Sequence, residues 1–481
     1  MAAEIFVLPA FGQGHLFPCI ELCKLIASRS YKATLVIFST LSSFVPSSFR
    51  QHPLIEIFEI PSPSGSGPIR MHPDSKPQML LCLENLISTR RKQPDFPRPL
   101  CAVVDLIVIM GWTADVFNKL GIPTVGFFTS GSCSAAMEYA TWKVQVQDIK
   151  PGEVRSLPGL PEEMAITISD LKRRSLGPPH SHGGPPAGGE LGSKPRRRGP
   201  AGPGEHPSWV DVTADSIALV INTCYDLERP FIDYLARETG KPVWAVGPLL
   251  SEQYWASGGS LVRDSELRTR HADVTEEKVI EWLDSKPRGS VLYIAFGSSV
   301  DITLDEYPQL ASALEESTHP FIWVIRKDAG RKGEPEGYFP HGLDQKVGER
   351  GLIIQGWAPQ LLILSHKSTG GFLSHCGWNS TVEAIGRGVP FLTWPLRGDQ
   401  YYDAQLVVRH LKVGYSVSED VGGMVKKEEM VKGIEKLMGN KEMKRKAEAL
   451  GAKFEHGFPE TSMAALDAFT ELIEKKSAPG Q

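Results

Sequence analysis

The sequence predicts an α/β protein built from two doubly wound domains joined near residue 250. Short β-branched and aromatic runs alternate with longer segments of helical spacing, which is the signature of parallel-sheet units. The alternation breaks at a stretch of linker composition, AVGPLLSEQYWASGGS at 245–260, and then restarts. At 481 residues the chain also exceeds one ordinary core, so two or three domains are expected.

In the first half, strands are expected at 4–10, 33–39, 54–60, 101–105, 124–128 and 217–222. Segments such as PCIELCKLIAS and MEYATWKVQVQ carry the helical spacing between them. The second half offers strands at 290–296, 321–326, 351–355, 370–374 and 390–394. The expected domains are therefore 1–248 and 249–456, with a tail at 457–481. Ligands of doubly wound sheets bind beyond the strand C-terminal ends, so two facing domains place a cleft between two rows of strand ends. One segment breaks the pattern: LGPPHSHGGPPAGGELGSKPRRRGPAGPGEHP at 176–207 has no core-forming residues and reads as a mobile excursion. Its His180 and His182 read as solvated rather than metal-binding, and its three arginines at 196–198 as solubilising charge.

Composition narrows the function. Hydrophobic residues make up 41% and charged residues 22%, ordinary for a globular enzyme. A net charge of −4 and a pI near 6.4 argue against nucleic acid or an anionic membrane as partner. The seven cysteines, Cys19, Cys23, Cys82, Cys101, Cys133, Cys224 and Cys376, are odd in number and scattered, which fits a reducing compartment better than a disulfide framework. No run approaches the ~18 apolar residues of a membrane-spanning helix. The first apolar run, IFVLPAF, reads as a strand rather than a signal peptide. A soluble cytoplasmic protein is expected.

Three places carry chemistry. FGQGHLFP, at 11–18, lies between the first strand and a helix. Gly12 and Gly14 permit a tight turn and close ligand approach, and Pro18 suits a first helical turn. His15 then stands at a strand end beside a helix N-terminus, which should lower its pKa and keep the imidazole neutral, as a general base requires. Taken alone, such a histidine is more often structural. The dinucleotide fingerprint G-x-G-x-x-G fails because Phe17 holds the third glycine's place, which weakens a hydride-transfer reading. Asp105 ends an apolar strand, CAVVD, where it can either cap the next turn or stabilise an imidazolium at His15.

The third place is WAPQLLILSHKSTGGFLSHCGWNSTVEAIGRGVPFLTWPLRGDQ, at 357–400. This stretch resembles the signature box of plant family-1 glycosyltransferases, which use UDP-sugars. FGQGH, CAVVD, INTCYDLE, VGPLL, EWLDSKPRGSVLYIAFGS and FIWVIR follow the family's order along most of the chain. The resemblance implies the GT-B fold, two Rossmann-like domains around a cleft, with the last helix, from residue 457, returning to the first domain. It also implies that Trp357 stacks on uracil, worth ~1–3 kcal/mol, that the Ala358 backbone pairs with the uracil edge, and that Gln360 and Glu383 hold the ribose. The turn His375, Gly377, Trp378, Asn379 and Ser380 would open a helix whose amides receive the diphosphate, with Ser298 adding a donor. Asp399 and Gln400 would read the sugar, and Gly14 and Thr129 would border the donor.

The reaction implied is inverting transfer of glucose from UDP-glucose to a plant phenolic such as a flavonoid, with His15 as base. No Asp-x-Asp pair occurs, so neither metal nor cofactor is expected. Partners would be a phenolic acceptor and the UDP-sugar, with the protein a monomer. A C-glycosyltransferase needs the same base and donor grip and is the alternative within the class. A non-catalytic nucleotide-sugar binder would not require both His15 and Asp105. The chain departs from the family at two places. The segment after Asp105 is slightly longer than usual, which makes Asp115 the fallback for Asp105 and touches the position of Thr129. The Gly/Pro-rich segment obscures acceptor identity.

Overall fold

The computed structural model describes residues 3–10, 12–61, 75–92, 99–106, 111–173, 202–257, 261, 273–298, 300–327, 329, 338–420 and 422–477. Most of the expected excursion lies outside these residues. Fifteen strands are described: β1 Glu4–Leu8, β2 Lys32–Phe38, β3 Ile55–Ile60, β4 Pro99–Asp105, β5 Thr124–Phe128, β6 Val154–Arg155, β7 Ile166–Thr167, β8 Ala218–Ile221, β9 Val243–Ala245, β10 Val291–Ala295, β11 Phe321–Ile325, β12 Gly351–Gln355, β13 Thr369–Ser374, β14 Phe391–Thr393 and β15 Gly414–Ser416. The first sheet has seven strands in the order β3-β2-β1-β4-β5-β8-β9, and the second has six, β12-β11-β10-β13-β14-β15. Every pairing in both is parallel. The small β6–β7 pair is antiparallel.

Both sheets reverse their winding beside the first strand. In the first sheet the chain moves outward through β2 and β3 and then restarts on the other side of β1 with β4; the second does the same around β10 and β13. A crevice opens where the crossover helices diverge to opposite faces, so each sheet has one topological switch point. These two points position the site described below.

The continuous apolar runs of the strands follow from burial on both faces. On β1, Ile5 and Val7 join one core with Leu35, Ile37 and Val103, while Phe6 and Leu8 join another with Phe38 and Phe117. Helix Gln13–Ala27 buries Leu16, Cys19, Ile20, Cys23 and Ile26, spacings that keep one face on the sheet. Helix Glu460–Ser477 places Leu466, Phe469 and Ile473 in the first domain's core, each burial worth about 1.5–3 kcal/mol. Ser462 fixes its start by donating to the Gly247 carbonyl at 2.6 Å. A further apolar cluster crosses the domain boundary, joining Phe128, Leu227 and Phe231 to Trp378, Val382 and Tyr402. Among the described residues, no helix is long and apolar enough to cross a membrane.

Candidate active site

His15 and Asp105 occupy the first sheet's switch point, His15 just beyond β1 and Asp105 at the end of β4. Gly12 adopts φ 106°, a backbone conformation closed to most side chains, and helix Gln13–Ala27 starts immediately after it. This corrects the sequence expectation for Pro18. It lies inside the helix rather than in its first turn, and the first turn belongs to Gln13, Gly14 and His15.

His15 Nδ1 lies 2.8 Å from Asp105 Oδ2 and 3.0 Å from Thr129 Oγ1. Asp105 is fully buried and accepts the Ala10 amide at 3.1 Å on the same oxygen. A carboxylate at Nδ1 selects the tautomer protonated there, leaving the Nε2 lone pair as the base. Asp115, the alternative, is exposed on helix Gly111–Lys119. The expected direction of the His15 pKa is also corrected. Burial acts to lower it, but the charge and hydrogen bond of Asp105, together with Asp399, outweigh both burial and the opposing Arg397, and the imidazole is held above its ordinary value. A full carboxylate in hydrogen-bond contact dominates the partial charge of a helix end.

The second sheet's switch point supplies the other wall. After β10 the chain turns at Gly297, φ 78°, to Ser298, which is exposed. After β13 it passes through His375 and Cys376, φ 62°, to Gly377, which opens helix Trp378–Gly386. The His375 ring lies between the two glycines; a Cβ on either would stand 2.6 Å from Nε2. Burial pushes the His375 pKa down to about 4, against the Ala295 carbonyl and with the help of the Arg397 charge. It is therefore a neutral ring, two residues before the Gly377 cap of helix Trp378–Gly386, its buried Nδ1 without a hydrogen-bond partner among the described residues, and it lies near half-buried Asn379 and buried Ser380.

Trp357 follows β12 and is half-buried. Ala358 is buried, and its carbonyl accepts the Gln360 amide at 2.8 Å. Gln360 Nε2 donates to Glu383 Oε2 at 2.6 Å and to Ser380 Oγ at 3.0 Å, while Tyr293 donates to its Oε1 at 3.1 Å. Gln400 turns its carbonyl oxygen inward to accept the Leu396 and Arg397 amides at 2.9 and 3.0 Å, which fixes the loop bearing half-buried Asp399. On the first-domain side, burial and the neighbouring Asp399 push Glu138 up to about 7, against the hydrogen bond from Trp209 Nε1 at 3.2 Å.

One sequence-predicted residue has a different role. Trp378 is 4% exposed, and its indole donates to the Asn222 carbonyl at 2.6 Å, packed over Gly131. Its ring joins the two domains, leaving only its backbone for a ligand. Asn222 was missed by sequence reasoning. Its amide donates to the Thr129 carbonyl at 3.0 Å, and its Oδ1 accepts the Leu249 amide at 2.6 Å. The signal was an asparagine closing an apolar run, the same signal that singled out Asp105. Across the cleft, Asn379 Nδ2 meets the Gly14 carbonyl at 3.3 Å. Among the described residues, no group of three or more His, Cys, Asp or Glu could hold a metal ion.

Comparison with known proteins adds to this geometry. Residues 260–459 match the family model described as UDP-glucoronosyl and UDP-glucosyl transferase. The chain is 30% identical to UDP-glycosyltransferase 73C10 of Barbarea vulgaris, over 98% of this chain and 95% of that one. It is likewise 30% identical to a scopoletin glucosyltransferase of Nicotiana tabacum, over 91% and 90%. Among solved structures, a UDP-glucosyltransferase from Polygonum tinctorium capable of glucosylating indoxyl, in complex with 3,4-dichloroaniline, superposes with a TM-score of 0.73 at 25% identity, covering 98% of this chain and 99% of that one.

Proposed function

The chain belongs to the plant UDP-glycosyltransferase family, with the GT-B fold, and from that premise we propose that it transfers glucose from UDP-glucose to a phenolic acceptor such as a flavonoid, with inversion and without a metal. The observation that carries this reading is the placement of two unlike groups on opposite walls of one cleft. His15, oriented by Asp105, stands on the first wall, and the helix N-terminus with His375, Asn379 and Ser380 on the second.

In the proposed step His15 Nε2 takes the acceptor hydroxyl proton as the oxygen attacks the anomeric carbon. The bond from that carbon to the β-phosphate oxygen breaks, and UDP leaves with the electron pair. Attack from the His15 wall and departure toward the helix wall lie on opposite faces of the sugar, hence inversion. The imidazolium formed is stabilised by Asp105. The charge gathering on the diphosphate meets preorganised amides and neutral donors, which need no reorganisation as the bond breaks. Trp357 offers a face for the uracil. The Gln360–Glu383 pair offers acceptors and donors for the ribose hydroxyls, and Asp399 with the Gln400 amide suits the sugar hydroxyls. The scopoletin relative and the indoxyl-glucosylating structure support a small aromatic acceptor.

The test is mass spectrometry of products from UDP-glucose and a panel of flavonoids and simple phenols, with a chelator present, followed by acid hydrolysis. The expected product is a hexose adduct that acid releases. An adduct that resists acid would replace this reading with carbon–carbon bond formation. Absence of any adduct, with UDP still bound, would overturn the phenolic acceptor. Activity seen only when the chelator is omitted would overturn metal independence.

A further inference from the structure

Helix Gln13–Ala27 carries Pro18 in its interior, where a proline normally costs stability. An α-helix bonds each amide to the carbonyl four residues earlier. Pro18 has no amide hydrogen, so the Gly14 carbonyl loses its helical partner. That carbonyl instead receives Asn379 Nδ2 from the other domain at 3.3 Å. The surroundings are suited to an approach from the cleft. Gly14 is exposed, and a Cβ built on it would meet nothing within 4 Å. Asn379 is the second residue of helix Trp378–Gly386, in the turn that faces the diphosphate in the proposed reaction.

We propose that Pro18 is a positioning residue, leaving the Gly14 carbonyl unpaired so that Asn379 can link the donor-binding helix to the turn that carries His15. The inference rests on the donor role of Asn379 given above. The asparagine amide has two N–H groups. One holds the Gly14 carbonyl while the other remains for a phosphate oxygen. A donor that orders Asn379 thereby draws the second domain's helix onto the first turn of helix Gln13–Ala27, one residue before His15. Both domains can then be set for reaction by the same side chain. A helix with an ordinary residue at position 18 would satisfy the Gly14 carbonyl internally and lose this coupling.

The experiment is a double-mutant cycle of Pro18→Ala and Asn379→Ala, read as kcat/KM for UDP-glucose, with UDP affinity and thermal unfolding measured on each protein. Pro18→Ala restores the amide hydrogen and is expected to lower kcat/KM about five- to tenfold, the worth of one hydrogen bond. Its Tm should hold or rise, because the helix gains a bond, and a merely structural proline would not separate the two readouts in this way. In the Asn379→Ala background, Pro18→Ala should cost nothing further. Additive losses, or full activity in Pro18→Ala, would overturn the proposal. Should Pro18→Ala fold poorly, Pro18→Val supplies the same amide with more of the ring's bulk and is held to the same outcomes. Unchanged UDP affinity in Asn379→Ala would instead defeat the donor role of Asn379, a failure separate from that of the link.

Discussion

His15 Nδ1 and Asp105 Oδ2 meet at 2.8 Å although 90 positions separate them in the chain. The contact follows from β1 and β4 being neighbours on either side of the first sheet's switch point. It engages Nδ1 of His15 and leaves Nε2 for the proposed acceptor. If His15 is the base, His15→Ala should lower kcat about 10²–10⁴-fold, the usual contribution of general base catalysis, with UDP affinity unchanged by titration calorimetry. The pH profile gives a second reading. Because Asp105 holds the His15 pKa above its ordinary value, kcat/KM in the acidic limb should rise as pH passes through that raised value. In Asp105→Asn the limb should move to lower pH while the plateau falls. A limb that stays in place would separate the two residues.

Glu383 and Gln360 are coupled at 2.6 Å, with Tyr293 and Ser380 completing the environment of the Gln360 amide. A carboxylate already held in place is ready to accept ribose hydroxyls without loss of rotamer freedom. Glu383→Ala should therefore weaken UDP binding by about 1.5–3 kcal/mol, the range for hydrogen bonds to charged groups. Saturating donor should recover most of kcat, because the ribose does not change during reaction. Equal UDP affinity in the variant and the wild type would remove Glu383 from the donor site.

What the sequence disclosed, and what it concealed, follows the range over which each force acts. The long apolar runs at β1, β2, β4 and β13 were readable because burial on both faces writes itself into consecutive residues. Strands β9 and β15 are three residues each and only partly buried, so no apolar run marks them, whereas the equally short β14 is buried throughout and was readable. That His15 and Asp105 could meet was readable because each lies at a strand end, a local feature. Their effect on each other was misjudged, since the helix end is visible in the sequence and the distance to Asp105 is not. Trp378 shows the same limit. Its neighbours His375 and Asn379 made it look like part of a ligand grip, whereas its indole is held by Asn222, 156 positions away.

That contact yields a prediction of its own. Trp378→Phe keeps an aromatic ring over Gly131 but removes the N–H donated to the Asn222 carbonyl, leaving a buried acceptor unpaired. The expected cost is about 1–3 kcal/mol of stability, measured as a lowered midpoint in urea unfolding. Binding of UDP to the folded variant should change little. A large loss of UDP affinity with unchanged stability would return the indole to the donor site.

His375 links the donor site to stability in acid. Its pKa is about 4 in the folded protein, against an ordinary value of ~6.5 in the unfolded chain. The unfolded state therefore takes up a proton first as pH falls, so the stability tied to neutral His375 is intact above about pH 6.5 and is lost progressively toward about pH 4. A shift of this size corresponds to roughly 3 kcal/mol at the low end. Other buried groups, including Glu138 with its raised pKa, titrate in the same interval with the opposite sign, so the wild-type curve alone does not isolate the effect. The comparison with His375→Gln does. Glutamine keeps a neutral N–H at the helix N-terminus and cannot be protonated in this range. Thermal unfolding of the two proteins should differ by a constant above pH 7, and the variant should gain relative to wild type as pH drops from 6.5 to 4.5. Parallel curves across that interval would mean that His375 is free to accept a proton in the folded protein, and that it can meet the diphosphate as a cation.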